Sequence, residues 1–293
     1  MKNKLSWFAV PYVVWMALSV VAPIILVVIY AFSTADGSFT LDNFSRMGTY
    51  AVVFGRSFKL AIIATVVCLL IGYPISYLMS REGPRFQRVG MILIMLPMWM
   101  NFLLRTYSWM SILENNGLLN RLFQSIGLID LYNQIAMSLS ANPAAYEPIT
   151  HFQLINTQGA VVLGMVYNYL PFMILPIYSV IVKLDRSLIE AARDLGANTF
   201  HVFRRVILPL SLPGVLSGIT MVFVPSVSTF AISKMLGGGT EMMLGDLIEQ
   251  QFLGGAYNPQ LGAAISLVMM LIVVVCMVVM NRFGEGEEQA VML

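Results

Sequence analysis

Apolar residues follow one another for twenty or more positions in six places along the chain, at about 8–32, 57–80, 89–113, 158–182, 207–234 and 262–281. A hydrocarbon core roughly 30 Å thick is crossed by about 20 helical residues, so each run is long enough to span it. A membrane barrel would instead show short strands of alternating apolar and polar residues. The pattern therefore predicts an all-α membrane protein with six transmembrane helices. Between the spans, "SREGPRFQR" (80–88) reads as a tight basic return. The connection 114–157 is long, with Asn115-Asn116-Gly117 as a turn signal and "ANPAAYEP" as a proline-punctuated loop. Within it, "GLLNRLFQSIGL" has the helical spacing of a segment lying along a membrane surface. After Gly237-Gly238-Gly239, "EMMLGDLIEQQFL" repeats Leu244, Leu247, Ile248 and Phe252 at helical intervals, which predicts a short re-entrant or interfacial helix.

The connection between the fourth and fifth runs, 185–209, is charged and helix-forming. Asp185 or Ser187 is placed to cap a helix, and Gly196 to end it in a left-handed turn. Leu188, Ala191, Ala192 and Leu195 share one face, with Glu190, Arg193 and Asp194 on the other. Asn198-Thr199 is a second start signal, after which Phe200, Phe203 and Ile207 form a stripe leading to Pro209. Such a cassette has two readings: a surface helix that joins two spans, or a docking element that fits a groove on a partner.

Composition agrees with the pattern. Hydrophobic residues make up 58% of 293 residues and charged residues 11%, against about 25% charged in soluble domains. The net charge of +2 is dispersed, which excludes a nucleic-acid footprint. Lys2, Lys4, Arg81, Arg85, Arg88, Lys183, Arg186, Arg193, Arg204, Arg205 and Arg282 fall on one side of the alternating loops, and mainly Arg46, Arg56, Arg121 and Lys234 on the other. The positive-inside rule then puts both termini in the cytoplasm. The first run is too long for a signal peptide's apolar region and is kept as a span. The chain divides into an N-terminal span with its outer loop (1–56), a core (57–282) and an acidic, solvated tail (283–293). Cys68 and Cys276 lie in apolar runs and act as small hydrophobes. No acidic residue lies in any span, which argues against an ion-coupled secondary carrier. No Gly-Lys pair exists, so a phosphate-binding loop of the G-x-x-x-x-G-K-[ST] type is excluded. The residues predict no catalytic, cofactor-binding or metal-ligating group.

Glu190-Ala191-Ala192, three residues, Gly196, nine residues, then Val206-x-Leu208-Pro209 resembles the EAA loop of ABC-importer permeases, with Val206 where isoleucine is usual. "IGYPISYLMSR" (71–81), "LPMWMNFLLRTYSWMSILENNGLLNRLF" (96–123), "YNYLPFMILPIYSVIVKLDRSLIEAARDLGA" (167–197) and "FLGGAYNPQLGAAISL" (252–267) resemble, in matching order, the permeases of spermidine/putrescine importers, the PotB type. The segment around 133–157 is longer than in that family. The resemblance implies the type I (MetI-like) importer fold in a bacterial plasma (inner) membrane. It implies coupling through Glu190, Ala191, Ala192, Gly196, Leu208 and Pro209 to separate ATPase subunits that carry ATP and Mg. It further implies a second homologous permease, an extracytoplasmic polyamine-binding protein and surrounding lipid as partners. Sulfate, iron(III), phosphonate and thiamine importers share the fold and the loop, and a non-transport scaffold is the remaining rival.

A polyamine is an alkyl chain carrying ammonium groups, which suits aromatic faces. Trp99, Tyr107, Trp109, Tyr167 and Tyr169 are candidates to line its path, with Ser226, Ser228 and Thr229 keeping it polar and Pro171, Pro176, Pro213 and Pro225 kinking the spans. Acidic residues at Asp36, Asp42, Glu114, Asp130, Glu147, Glu241, Asp246 and Glu249 bias the outer loops toward a cation. Arg105 lies some four residues past the middle of its run, roughly 6 Å toward the outside, and shares a face with Asn101 and Trp109. It would repel a cation, so it is assigned a structural or gating role.

Overall fold

The computed structural model describes residues 11–139 and 146–291. Lys2, Lys4 and most of "ANPAAYEP" lie outside the described residues. Among the described residues, five helices are long and apolar enough to cross a membrane: Pro11–Ala31 (α1), Asp42–Arg81, Gln158–Ile181, Thr199–Ser228 and Pro259–Met280. The regular part of the second is Ala51–Arg81 (α2). Pro84–Trp99 (α3) and the stretch Phe102–Ser125, which begins with the helix Phe102–Leu113 (α4), are bent by 91° and make a sixth span when taken together. Leu118–Ser125 (α5) and Leu128–Leu139 (α6) follow, then Gln158–Ile181 (α7) and the short Arg186–Asp194 (α8). Thr199–Ser228 is α9, Ala231–Leu236 is α10, Leu244–Leu253 is α11 and Pro259–Val291 is α12.

Two expectations are corrected. The third run is not one straight span. Pro97 lacks the N–H that would continue the helix, and Met100 is extended, with ψ 149°. Asn101 then accepts from the amides of Leu103 and Leu104 at 2.8 and 3.4 Å, starting a new helix in a new direction. The fifth span does not reach 234. It ends at Ser228, unwinds through Thr229 at ψ 140°, and restarts as α10. The acidic stretch read as a solvated end is helical as far as Val291.

The core is the three-helix contact of α2, α7 and α9. Small residues allow it: Gly214 lies against the Pro176 carbonyl and Gly218 against Met173. Tyr73 and Ser211 hydroxyls meet at 2.8 Å, and Ser76 donates to the Ile174 carbonyl at 3.1 Å. Leu60, Met165, Met173, Ile174 and Ile177 are fully buried between these helices. By contrast α1 packs only on the side, its Ala31 against Ala263, Ala264 and Leu267 of α12. Cys68 is buried and free, and Cys276 is partly buried and free.

The segment 243–253 forms the short helix its spacing predicts, α11, with Leu244 and Leu247 buried. The amide of Leu244 donates to Ser57 Oγ on α2 at 2.8 Å, and that of Met243 to Asp246 Oδ2 at 2.8 Å. A Cβ on Gly245 would meet the carbonyl oxygens of Ser228 and Thr229 at 2.5 Å, so glycine is what lets α11 butt against the broken end of α9. The expected surface helix in 117–128 exists as α5, with Leu118, Leu122 and Ile126 exposed along it. Helix α6 was not predicted. Asn120 and Asn133 each exchange hydrogen bonds with one backbone residue, Phe152 and Ile149, and so fasten the chain after 146 onto both helices.

Candidate coupling hook and translocation path

The ends of α2 and α7, the start of α3 and the segment 185–209 gather at one end of the bundle, the hook end. Asp185 caps α8, its Oδ1 accepting from the amide of Ser187 at 2.9 Å, and this bond holds its carboxyl below the usual carboxylate range. The helix stops at Gly196, whose φ of +80° is left-handed. The amides of Gly196 and Ala197 close onto the carbonyls of Arg193 and Ala192 at 2.8 and 3.1 Å. Asn198 Oδ1 accepts from the amide of His201 at 2.9 Å and starts α9. One turn of α9, Phe203–Ile207, is π-helical, with the Leu208 amide reaching the Phe203 carbonyl. Pro209 follows at once, and its missing N–H suits a helix whose bonding register has just shifted.

The two faces of α8 look in opposite directions. Ile189, Glu190 and Arg193 line a cleft of about 550 Å³, facing Tyr77, Arg81 and Gln87 on α2 and α3. Leu188 on α8, Leu195 at its C-terminal cap and Phe200 beyond it are 47%, 89% and 64% exposed. An amphipathic helix normally turns its apolar side to its own core. Here that side is bare.

The path residues scatter more than expected. The breaks of the third and fifth spans meet, and Phe102, Leu103, Tyr169, Pro225, Ser228, Thr229 and Phe230 line a cavity of about 470 Å³ between them. Tyr169 Oη donates to the Pro225 carbonyl at 3.4 Å. Tyr169 and Thr229 are thus brought together. Trp109 and Tyr167 stack edge to face at 5.4 Å, outside that cavity. Trp99 and Tyr107 are exposed, and Asn101 is the cap of α4. Ser226 is buried and donates to the Val222 carbonyl of its own helix at 2.7 Å, so it does not line the cavity. Arg105 is only 8% exposed, and its Nε and Nη1 have no hydrogen-bond partner. The reading of the sequence missed Phe102 and Phe230. The pairing of Pro97 with a capping Asn101 four residues later was the signal for the first.

At the far end, Arg56 Nε lies 3.3 Å from Glu241 Oε2, which also accepts from Gln158 Nε2 at 3.2 Å. Lys59 reaches Gln158 at 3.2 Å, and Lys234 pairs with Glu249 at 3.0 Å. Burial pushes the Asp246 carboxyl up. Glu241, Glu249 and Asp246 therefore serve the fold first, which removes three of the eight outer carboxylates from the argument for a cation.

Residues 72–286 match the family described as "Binding-protein-dependent transport system inner membrane component". The chain belongs to this family. The match begins inside α2 and contains the hook and both helix breaks. The permease is 38% identical over 279 residues to the spermidine/putrescine transport system permease protein PotB of Haemophilus influenzae, covering 92% of this chain and 91% of that one. It is 34% identical over 266 residues to PotB of Escherichia coli, covering 88% and 90%. Among solved structures it shares its fold with a bacterial ABC transporter involved in import of the acidic polysaccharide alginate, at 16% identity and a TM-score of 0.72 over 97% of this chain and 96% of that one. The MetNI methionine ABC transporter in inward-facing conformations follows at 17% identity and 0.58, over 83% and 98%. The permease is a multi-pass inner-membrane transport component, not an ATPase.

Proposed function

We propose that the permease forms half of the translocation path of an ATP-driven importer for spermidine or putrescine. The hook 185–209 faces the cytoplasm, as do both termini, and docks on a separate ATPase subunit that holds ATP and Mg. A second permease completes the path, and an extracytoplasmic binding protein delivers the polyamine. The observation that carries the docking role is the bare apolar side of α8, with Leu195 89% exposed beside a left-handed Gly196. Glu190, Ala191, Ala192, Gly196, Leu208 and Pro209 are the coupling residues, and Tyr169 and Thr229 the part of the candidate path that meets in one cavity. Coupling then follows from population shift: closure of the ATPase pair draws the hooks together and favours whichever state of the bundle binds that closed pair better.

The polyamine reading rests on likeness to the two PotB permeases across about nine-tenths of the chain. Buried, unpaired Arg105 favours an anionic solute instead, although it does not line the cavity. Uptake of radiolabelled putrescine, spermidine and sulfate in a strain lacking its own importers separates the two. Polyamine uptake that unlabelled sulfate leaves unchanged is expected, and sulfate uptake with none of the polyamines sinks the reading.

A further inference from the structure

Helix α9 stops at Ser228; its last carbonyls, of Ser228 and Thr229, lie against Gly245 of α11, while the Pro225 carbonyl just before them is met by no further turn of helix. The carboxyl end of a helix also carries the negative pole of its dipole. Inside membranes such broken ends coordinate cations. Among the described residues the Pro225 carbonyl receives the Tyr169 hydroxyl at 3.4 Å, while the Ser228 hydroxyl, 3.5 Å away, lies nearer the Val224 carbonyl at 3.2 Å. The Tyr169 bond is at the long limit of hydrogen bonding, so a stronger donor displaces it easily.

The other break does not oppose a cation through its amides. Helix α4 begins here with the positive pole of its dipole, yet Asn101 Oδ1 already occupies the amides of Leu103 and Leu104. Besides the Phe102 amide, the polar groups left at the junction are acceptors: the Pro225 carbonyl and the hydroxyl oxygens of Tyr169, Ser228 and Thr229. Phe102 and Phe230 add aromatic walls. The remaining surface is almost wholly apolar, so an ammonium that sheds water here is confined to the few acceptors present.

We propose that this junction is a transient station for one ammonium group of the transported cation, held by the Pro225 carbonyl and the hydroxyls of Tyr169 and Thr229 between the aromatic faces. This rests on the polyamine reading above. No carboxylate lines the cavity, and Arg105, one turn further along α4, raises the energy of a cation nearby. Both features shorten its stay, and a conducting site must bind weakly enough to release.

The test reconstitutes the whole importer, with its second permease, ATPase and binding protein, in vesicles, and reads labelled putrescine taken up per ATP hydrolysed. Tyr169→Phe removes one hydroxyl, and Thr229→Val a second. Each is expected to lower uptake per ATP hydrolysed about tenfold, the scale of one hydrogen bond to a charged group. If Tyr169→Phe does not assemble, Thr229→Val decides alone. Wild-type uptake with both variants also at wild-type coupling overturns the station and leaves the polyamine reading standing. A wild-type complex that carries no polyamine overturns both.

Discussion

Asp246 shows how much one side chain does for the far end of the permease, away from the hook. It caps the buried helix α11 by accepting from the Met243 amide at 2.8 Å, yet burial holds its carboxyl above the usual carboxylate range. A carboxyl raised in the folded state stabilises it fully only while protonated. That contribution is lost as pH climbs past the ordinary carboxylate range and through the raised value. Asparagine keeps the accepting oxygen and carries no charge. Asp246→Asn is therefore expected to melt above the wild type at pH 8 in detergent, with the gap narrowing as pH falls. A gap that stays constant from pH 8 to pH 5 contradicts the burial argument. Arg105 shows a different use of charge. A guanidinium with two unpartnered nitrogens inside the bundle is costly, and the fold described here does not repay that cost.

Among elements, the hook was the most legible. Asp185, Gly196 and Asn198 are short-range signals that act through their own backbone, so the sequence displays their effect directly. The surroundings of Gly196 are open, so a side chain there meets no neighbour and pays only for the left-handed backbone. Asparagine tolerates that conformation and a β-branched residue does not. Gly196→Asn is expected to keep ATP hydrolysis stimulated by the binding protein near wild type. Gly196→Val is expected to lower it about tenfold, with membrane insertion unchanged. Equal activity in the two variants places the need for glycine elsewhere. The breaks in the third and fifth spans were less legible. Hydropathy cannot see them, because Met100 and Phe230 are as apolar as any helical residue, and only the local chemistry of Pro97 and Asn101 betrays the first. The meeting of Tyr169 with Thr229, sixty residues apart in sequence, depends on how α7 and α9 cross, which no local pattern records. Helix α6 was overlooked because all its larger apolar residues but Ile129 are exposed or half-buried and its polar Asn133 is turned inward to hold the chain at 149.

At the scale of the whole molecule, polarity is divided between two ends. Ion pairs and amide bonds tie α2, α7 and the loop before α11 together at the far end, through Arg56, Lys59, Gln158 and Glu241. The hook end instead leaves its apolar face bare and its charged face around a cleft. One end is closed on itself and the other leaves an apolar face open, which is the asymmetry the proposed docking of an ATPase needs. Charge introduced on the bare face should then remove the partner without disturbing the bundle, since Leu195 touches little of its own chain.

Co-purification of the ATPase tests this most directly. The permease and its second permease are extracted from membranes that also contain the ATPase, with either wild-type Leu195 or Leu195→Glu in the hook. Wild-type permease is expected to bring the ATPase with it, and Leu195→Glu to bring the second permease alone. ATPase recovered in equal amount with both would contradict the account, because the surface that receives the motor would then lie somewhere else.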